Sequence, residues 1–277
     1  MVIIEQMEFG YTRKKPVYQD FSLRLEAGRV YGLLGVNGVG KSTLLHLISG
    51  LLRPWKGEVS FKDYTCSDRE ADMLSDLFLL PEEFQLPNIR IPDFLDLYAP
   101  FYPRFDRDLF FHWLREFEVD TAFSISELSM GNRKKFYLSF AVASGCSLLL
   151  MDEPTNGLDI PGKGVFRRLM ASALTEERTC VISTHQGNEV EKMLDEVIIL
   201  DQKGVQLQAS VEWICRKLLF TEIAADEHPS GVLYSEPSLN GNRAVLPNTN
   251  GKESVFSVEL LFNAVHRAGD RVREALV

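Results

Sequence analysis

Nine residues, Gly35-Val36-Asn37-Gly38-Val39-Gly40-Lys41-Ser42-Thr43, combine three glycines, a lysine and two hydroxyls in a spacing that suits a nucleoside triphosphate. Glycines at 35, 38 and 40 allow the backbone turns that point successive N–H groups at one anion. A helix starting near Lys41 would aim its positive end at the same place. In this reading Lys41 reaches the β and γ phosphates, Asn37 and Thr43 belong to the same wrap, and the Ser42 hydroxyl gives Mg²⁺ one of its few protein ligands. A second feature is Leu148-Leu149-Leu150-Met151-Asp152-Glu153-Pro154, an apolar run that ends in adjacent carboxylates. Asp152 is expected to hold Mg²⁺ through its water shell. Glu153 is then placed to polarise the water that attacks the γ-phosphate, because phosphoryl transfer depends on alignment and charge neutralisation more than on covalent chemistry.

These groups need elements to hold them. Val30-Tyr31-Gly32-Leu33-Leu34 reads as a buried strand before the loop, and Thr43 to Ile48 as an apolar helix after it. A glycine-rich turn with a chance lysine would require neither. Leu148 to Met151, Cys180 to Ser183 and Val197 to Leu200 are unbroken apolar runs, as expected of parallel strands buried on both faces. Chain start to about Phe61 reads as a β-rich edge around the loop and its helix. Prolines at 81, 87, 92 and 100, many aromatics and a helical apolar stripe after Asp106 (Leu109, Phe110, Trp113, Leu114, Phe117) mark an inserted helical subdomain at about 85–145. The α/β pattern then returns to about residue 208. Beyond it, a helix at Val211 to Leu219, strands at 231–234 and 243–246 flanking a turn at 239–242, and a helix at Val258 to Val265 suggest a small α+β appendage, 209–277.

Composition narrows the function. The 277 residues carry a formal net charge of −9 with 45% hydrophobic content, enough for a core and unsuited to a nucleic-acid partner, which needs clustered Lys and Arg. Arg13-Lys14-Lys15 and Arg133-Lys134-Lys135 are read as solvated or as local anion sites. Cys66, Cys146, Cys180 and Cys215 show no metal spacing and are expected to be buried free thiols in a reducing compartment. The start of the chain has neither a basic n-region nor a long apolar core, so no export signal is expected. The uncharged stretch Phe136 to Met151 is too short and too broken by Ser and Gly to cross ~30 Å of hydrocarbon.

Taken together, the motifs resemble the nucleotide-binding subunit of ATP-binding cassette (ABC) transporters over roughly residues 2–208. Leu128-Ser129-Met130-Gly131-Asn132 resembles that family's signature loop, usually Leu-Ser-Gly-Gly-Gln, matching at Ser129 and Gly131 and departing at Met130 and Asn132. A serine hydroxyl and a glycine N–H at a helix start make a second anion site, although a Ser-capped helix alone would look the same locally. Asn156-Gly157-Leu158-Asp159 resembles the D-loop, and Ser183-Thr184-His185 the switch segment whose histidine reaches the γ-phosphate. Tyr11 fits the aromatic under the adenine, with Phe9 and Tyr18 as nearby competitors. At the Q-loop the family has a glutamine. Here Glu82 takes that place, in Leu79-Leu80-Pro81-Glu82, a carboxylate able to bind metal or water, with Gln85 as the alternative.

The resemblance implies an α/β P-loop NTPase of ABC type with a β-rich subdomain, an inserted helical subdomain and the appendage. It implies ATP and Mg²⁺ as ligands, with Glu153, His185 and Glu82 catalytic and Ser42, Asp152 and Glu82 on the metal. The nucleotide would be held by Tyr11, Gly35, Asn37, Gly38, Gly40, Lys41, Ser42, Thr43, Ser129, Gly131 and Asp159. It further implies a head-to-tail dimer of two copies and a separate membrane permease, which would hold the protein at the inner face of the cell membrane. The segment Phe101 to Asp106 resembles exporter cassettes more than importer ones. Two other readings are a soluble ABC ATPase acting on a cytosolic complex and a nucleotide sensor with little turnover; intact Glu153 and His185 argue against the sensor.

Overall fold

The structure, a computed structural model, describes residues 1–277 apart from 186, 225–228 and 240. In chain order the first elements are β1 (Val2–Phe9), β2 (Tyr18–Leu25), β3 (Val30–Leu34), α1 (Lys41–Ile48), β4 (Lys56–Phe61) and β5 (Tyr64–Thr65). Then come α2 (Ala71–Ser75), β6 (Leu77–Leu80), α3 (Ile91–Tyr98), α4 (Arg107–Glu116), α5 (Met130–Ala143), β7 (Leu148–Asp152), α6 (Ile160–Ala173) and β8 (Thr179–Thr184). The last are β9 (Glu196–Asp201), β10 (Gly204–Ser210), α7 (Val211–Lys217), β11 (Leu218–Ile223), β12 (Tyr234–Ser238), β13 (Gly241–Pro247) and α8 (Val258–Leu276). Contacts divide the chain into two compact units: Met1–Val30 with Gly40–Thr184, and Tyr31–Val39 with His185–Val277.

In the first unit β6, β7 and β8 pair in parallel, Leu77 opposite Leu148 and Asp152 opposite Ser183. Every residue of β7 and β8 is buried, the physical counterpart of their unbroken apolar runs. An antiparallel sheet in the order β2-β1-β4-β5 forms the β-rich part. The helices between β6 and β7 pack through aromatic rings. Phe136 and Phe140 of α5 meet Phe94 of α3 edge-on at 5.1 and 5.3 Å, and Phe136 meets Phe110 of α4 at 5.6 Å. Such pairs add ~0.5–1.5 kcal/mol each beyond their burial, so α5 and the loop at its start are held firmly. Asp106 caps α4 by accepting from the Leu109 N–H at 2.8 Å, which explains why the helical stripe begins just after it. Gly145, at φ 72°, ends α5 and turns the chain into β7.

The second unit pairs β3 in parallel with β9, Leu34 opposite Ile199, and β9 antiparallel with β10. A separate sheet in the order β11-β13-β12 lies in the same unit with α7 and α8. The tail differs from expectation in detail. The helix from Val211 stops at Lys217, and Leu218 and Leu219 begin β11 instead, because their backbone pairs with Leu246 and Pro247 far along the chain. β12 starts at Tyr234, and α8 runs on to Leu276 across a kink at Ala268. The turn expected at 239–242 includes residue 240, which lies outside the described residues. Cys66, Cys146 and Cys180 are buried free thiols, while Cys215 is only half-buried. Among the described residues, no helix is long and apolar enough to cross a membrane.

Candidate functional site

Gly38 and Gly40 take φ values of 78° and 116°, which only glycine adopts cheaply. Gly35 faces a different constraint: a Cβ there would lie 2.7 Å from Val39 Cγ1 and 3.0 Å from the Leu200 carbonyl oxygen. Gly40 caps α1 without a side-chain hydrogen bond to the helix end, whose positive pole suits an anion. Tyr18 Oη donates to the Gly40 carbonyl at 2.9 Å and pins the loop to β2. Lys41 is buried, Ser42 is partly exposed, and Thr43 Oγ1 lies 3.1 Å from Tyr11 Oη. Tyr11 is 66% exposed, whereas Phe9 and Tyr18 are buried. Of the three aromatics, only Tyr11 offers a ring face to a ligand.

Asp152, the last residue of β7, is buried and accepts a hydrogen bond from Ser183 Oγ on β8. Glu153 follows, also buried, with φ at 44° and its N–H donating to the Ser183 carbonyl at 3.0 Å. A non-glycine residue held there stores ~1–3 kcal/mol, and the neighbouring strand keeps it in place. Burial lowers the Lys41 pKa, and the charges of Glu153, Asp152 and Glu82 oppose that fall. The loop lysine and all three carboxylates therefore share one electrostatic environment in the first unit. Because β6 and β7 are neighbours, Glu82 lies against the loop after β7, and its Oε1 accepts from Asn156 Nδ2 at 3.0 Å. Gln85 lines the same cleft of about 610 Å³, with Met130, Lys134 and Gly157.

Ser129 caps α5, its Oγ accepting from the Asn132 N–H at 3.2 Å, and is exposed, so a ligand could reach it. Gly131 lies close to the loop after β7: a Cβ there would be 3.1 Å from the Gly157 carbonyl oxygen. Asp159 caps α6, accepting from the Gly162 N–H at 2.8 Å, and pairs with Lys135 at 3.4 Å. Those contacts hold its carboxyl below the usual range, the Gly162 hydrogen bond first. His185 follows β8 directly, is exposed, and belongs to the second unit, as do Gly35, Asn37 and Gly38.

One expectation needs correcting. Lys134, expected with its basic neighbours to be solvated or to serve a local anion site, is buried among carboxylate-bearing loops, with its ammonium 5.5 Å from the centre of the Phe84 ring. The signal was present in the spacing: Lys134 precedes the buried Leu138 by four residues and Ala141 by seven, on one face of α5. The contact of Asn156 with Glu82 left no sequence trace, because the two lie on different connections of the sheet.

Comparison with known proteins identifies the family. The ABC transporter family model matches residues 18–156. The high-affinity zinc uptake system ATP-binding protein ZnuC of Bacillus subtilis is 31% identical over 218 residues, 73% of this chain and 91% of that protein. The Nod factor export ATP-binding protein I of Rhizobium etli is 29% identical over 193 residues, 68% of this chain and 61% of that one. A solved ATP-binding subunit of an ABC transporter superposes with a TM-score of 0.70 at 25% identity, covering 78% of this chain and 92% of that one.

Proposed function

Because this chain belongs to the ABC transporter family and is an ABC-type ATPase, we propose that it is the subunit that hydrolyses ATP to power a separate membrane permease. The observation that carries the reading is the loop that turns left-handed at Gly38 and Gly40 and enters α1 at buried Lys41, with buried Asp152 and Glu153 acting on that lysine through their charge. In this reading the 35–43 loop and the start of α1 hold the phosphates, Lys41 bridges β and γ, and the exposed Tyr11 ring stacks on the adenine. Glu153, preset by its strained backbone, orients the attacking water and takes its proton, and His185 contacts the γ-phosphate.

The donor set suits Mg²⁺. Among the described residues no group of three or more His, Cys, Asp and Glu could hold a metal, and Mg²⁺ usually takes one or two protein oxygens and completes its shell with phosphates and water. Asp152 and Ser42 would hold it, with Glu82 nearby. Once bound, it would neutralise charge on the β and γ phosphates.

Ser129 and Gly131 would close on the nucleotide of a second copy, with Asp159 at the crossing between copies, which gives a head-to-tail dimer. Docking on the permease would place the protein at the inner face of the membrane. Relatives named for uptake and for export match at similar identity. We put forward export, on the resemblance of Phe101 to Asp106. The decisive experiment isolates the intact chain from detergent-solubilised membranes and identifies what accompanies it. A multi-span membrane protein that raises its ATPase rate fits the reading; a soluble complex that does so points to the cytosolic alternative. Reconstitution with ATP outside the vesicles then reads direction, since export would load them and import would empty them.

A further inference from the structure

Lys134 is a cation with only 3% of its surface exposed, and the reaction described above does not use it. Removing an ammonium from water is costly unless fixed partners offset it. One partner is the Phe84 ring, 5.5 Å from the ammonium. Glu82 lines the same cleft as Lys134 and Phe84, and among the carboxylates its charge acts on the ammonium most strongly, then those of Asp152 and Glu153. These are the same carboxylates that act on Lys41. Burial still pushes the Lys134 pKa down to about 8 while the carboxylates hold it up.

Charge counting gives the cluster its meaning. With a neutral glutamine at the Q-loop position and no second lysine, one lysine would face two carboxylates, leaving one net negative charge. Here two lysines face three carboxylates, and the net charge is again one negative. Glu82 also has a mechanical route to the site: Asn156 donates to its Oε1 at 3.0 Å, and the Asn156 N–H donates to the Glu153 carbonyl at 3.2 Å.

We propose that Glu82 and Lys134 act as one charge-balancing pair across this cleft, with Lys134 a positioning residue that lets a carboxylate work where the family pattern has a neutral glutamine. The inference rests on the ATPase reading and concerns how its site is tuned. The ammonium offsets the Glu82 charge, keeping the field around Asp152 and Glu153 suited to a polyanionic substrate, while Asn156 keeps Glu82 in register with Glu153.

The test compares four intact chains: wild type, Glu82→Gln, Lys134→Gln and the double variant. Three quantities are measured: kcat, the Kd for ATP, and the urea midpoint without nucleotide or metal. Lys134→Gln should lower kcat about tenfold with ATP Kd within about twofold, and the loss in the double variant should be at least about fivefold smaller than the product of the two single losses, a coupling in the range seen for residues of one network. The urea midpoints should be non-additive in the same sense. Effects on kcat and on stability that simply multiply and add in the double variant would overturn the pair. If Lys134→Gln does not fold, Lys134→Arg keeps the charge and should hold kcat within about threefold; a loss of about tenfold or more would overturn the proposal. Failure of the wild-type chain to hydrolyse ATP refutes the ATPase reading instead, and the urea cycle without nucleotide still reads the pair.

Discussion

Replacing Gly40 by alanine tests whether the phosphate loop is shaped by backbone freedom or merely tolerates it. At φ 116° and ψ 4° Gly40 lies beyond the left-handed region that an L residue visits, a cost of at least ~1–2 kcal/mol. The new Cβ would also lie 2.8 Å from Tyr18 Oη, 2.9 Å from Val17 Cγ1 and 3.0 Å from Tyr18 Cζ. Tyr18 cannot easily yield, since its ring is buried and its hydroxyl is bonded to the Gly40 carbonyl at 2.9 Å. Overpacking of this kind costs ~1–3 kcal/mol, which brings the total to about 2–5 kcal/mol. For a urea m-value of ~2–3 kcal/mol/M, the unfolding midpoint should fall by about 0.7–2.5 M. If the loop relaxes instead of the whole chain, the same strain appears as ATP affinity weakened roughly tenfold or more, since ~1.4 kcal/mol is one decade. Equilibrium urea unfolding and titration with a fluorescent ATP analogue measure both. A variant whose midpoint moves by less than about 0.3 M and whose affinity stays within about twofold would refute the argument, because neither the dihedral cost nor the clash could then be real.

Tyr11→Ala should weaken ATP binding by ~1–3 kcal/mol while Tyr11→Phe keeps most of it, read by the same titration, because stacking needs the ring and not its hydroxyl. Glu153→Gln should bind MgATP and accumulate as a dimer in sedimentation, since it keeps the site but loses the proposed base; a chain that stays monomeric at high concentration would count against a shared site. Asp76 is a pH prediction. Burial alone would raise its pKa, but hydrogen bonds from Lys62 and from Ser147, at 2.6 Å to Oγ and 2.9 Å to the N–H, bring it below its usual value. A depressed carboxylate adds stability that is full above its unfolded pKa of ~3.9 and is lost as pH falls through the folded value. Asp76→Asn should therefore cost stability at pH 7 and flatten the acid side of a thermal unfolding profile, and an unchanged profile would show that these contacts are neutral.

Much of this protein is legible in one dimension because its signals are local. Gly38, Gly40 and Lys41 declare the phosphate loop through backbone rules that act within a few residues, and the unbroken apolar runs of β7 and β8 declare parallel strands because both faces must leave water. Asp106 announces α4 by the hydrogen bond its side chain makes three residues on. What tertiary structure alone decided was which distant groups share a dielectric and which apolar residues find a strand partner. Leu218 and Leu219 suit helix or strand equally well, and only pairing with β13 settles them. Tyr18 and Tyr11 differ in role by burial, which their spacing does not encode. Glu82 and Asn156 meet because β6 and β7 are neighbours, and Lys134 is buried because the aromatic faces of α3, α4 and α5 orient that helix. Charge interactions act through space while sequence records only order along the chain, so the composition of a site can be read from motifs, but its electrostatic balance waits for the fold.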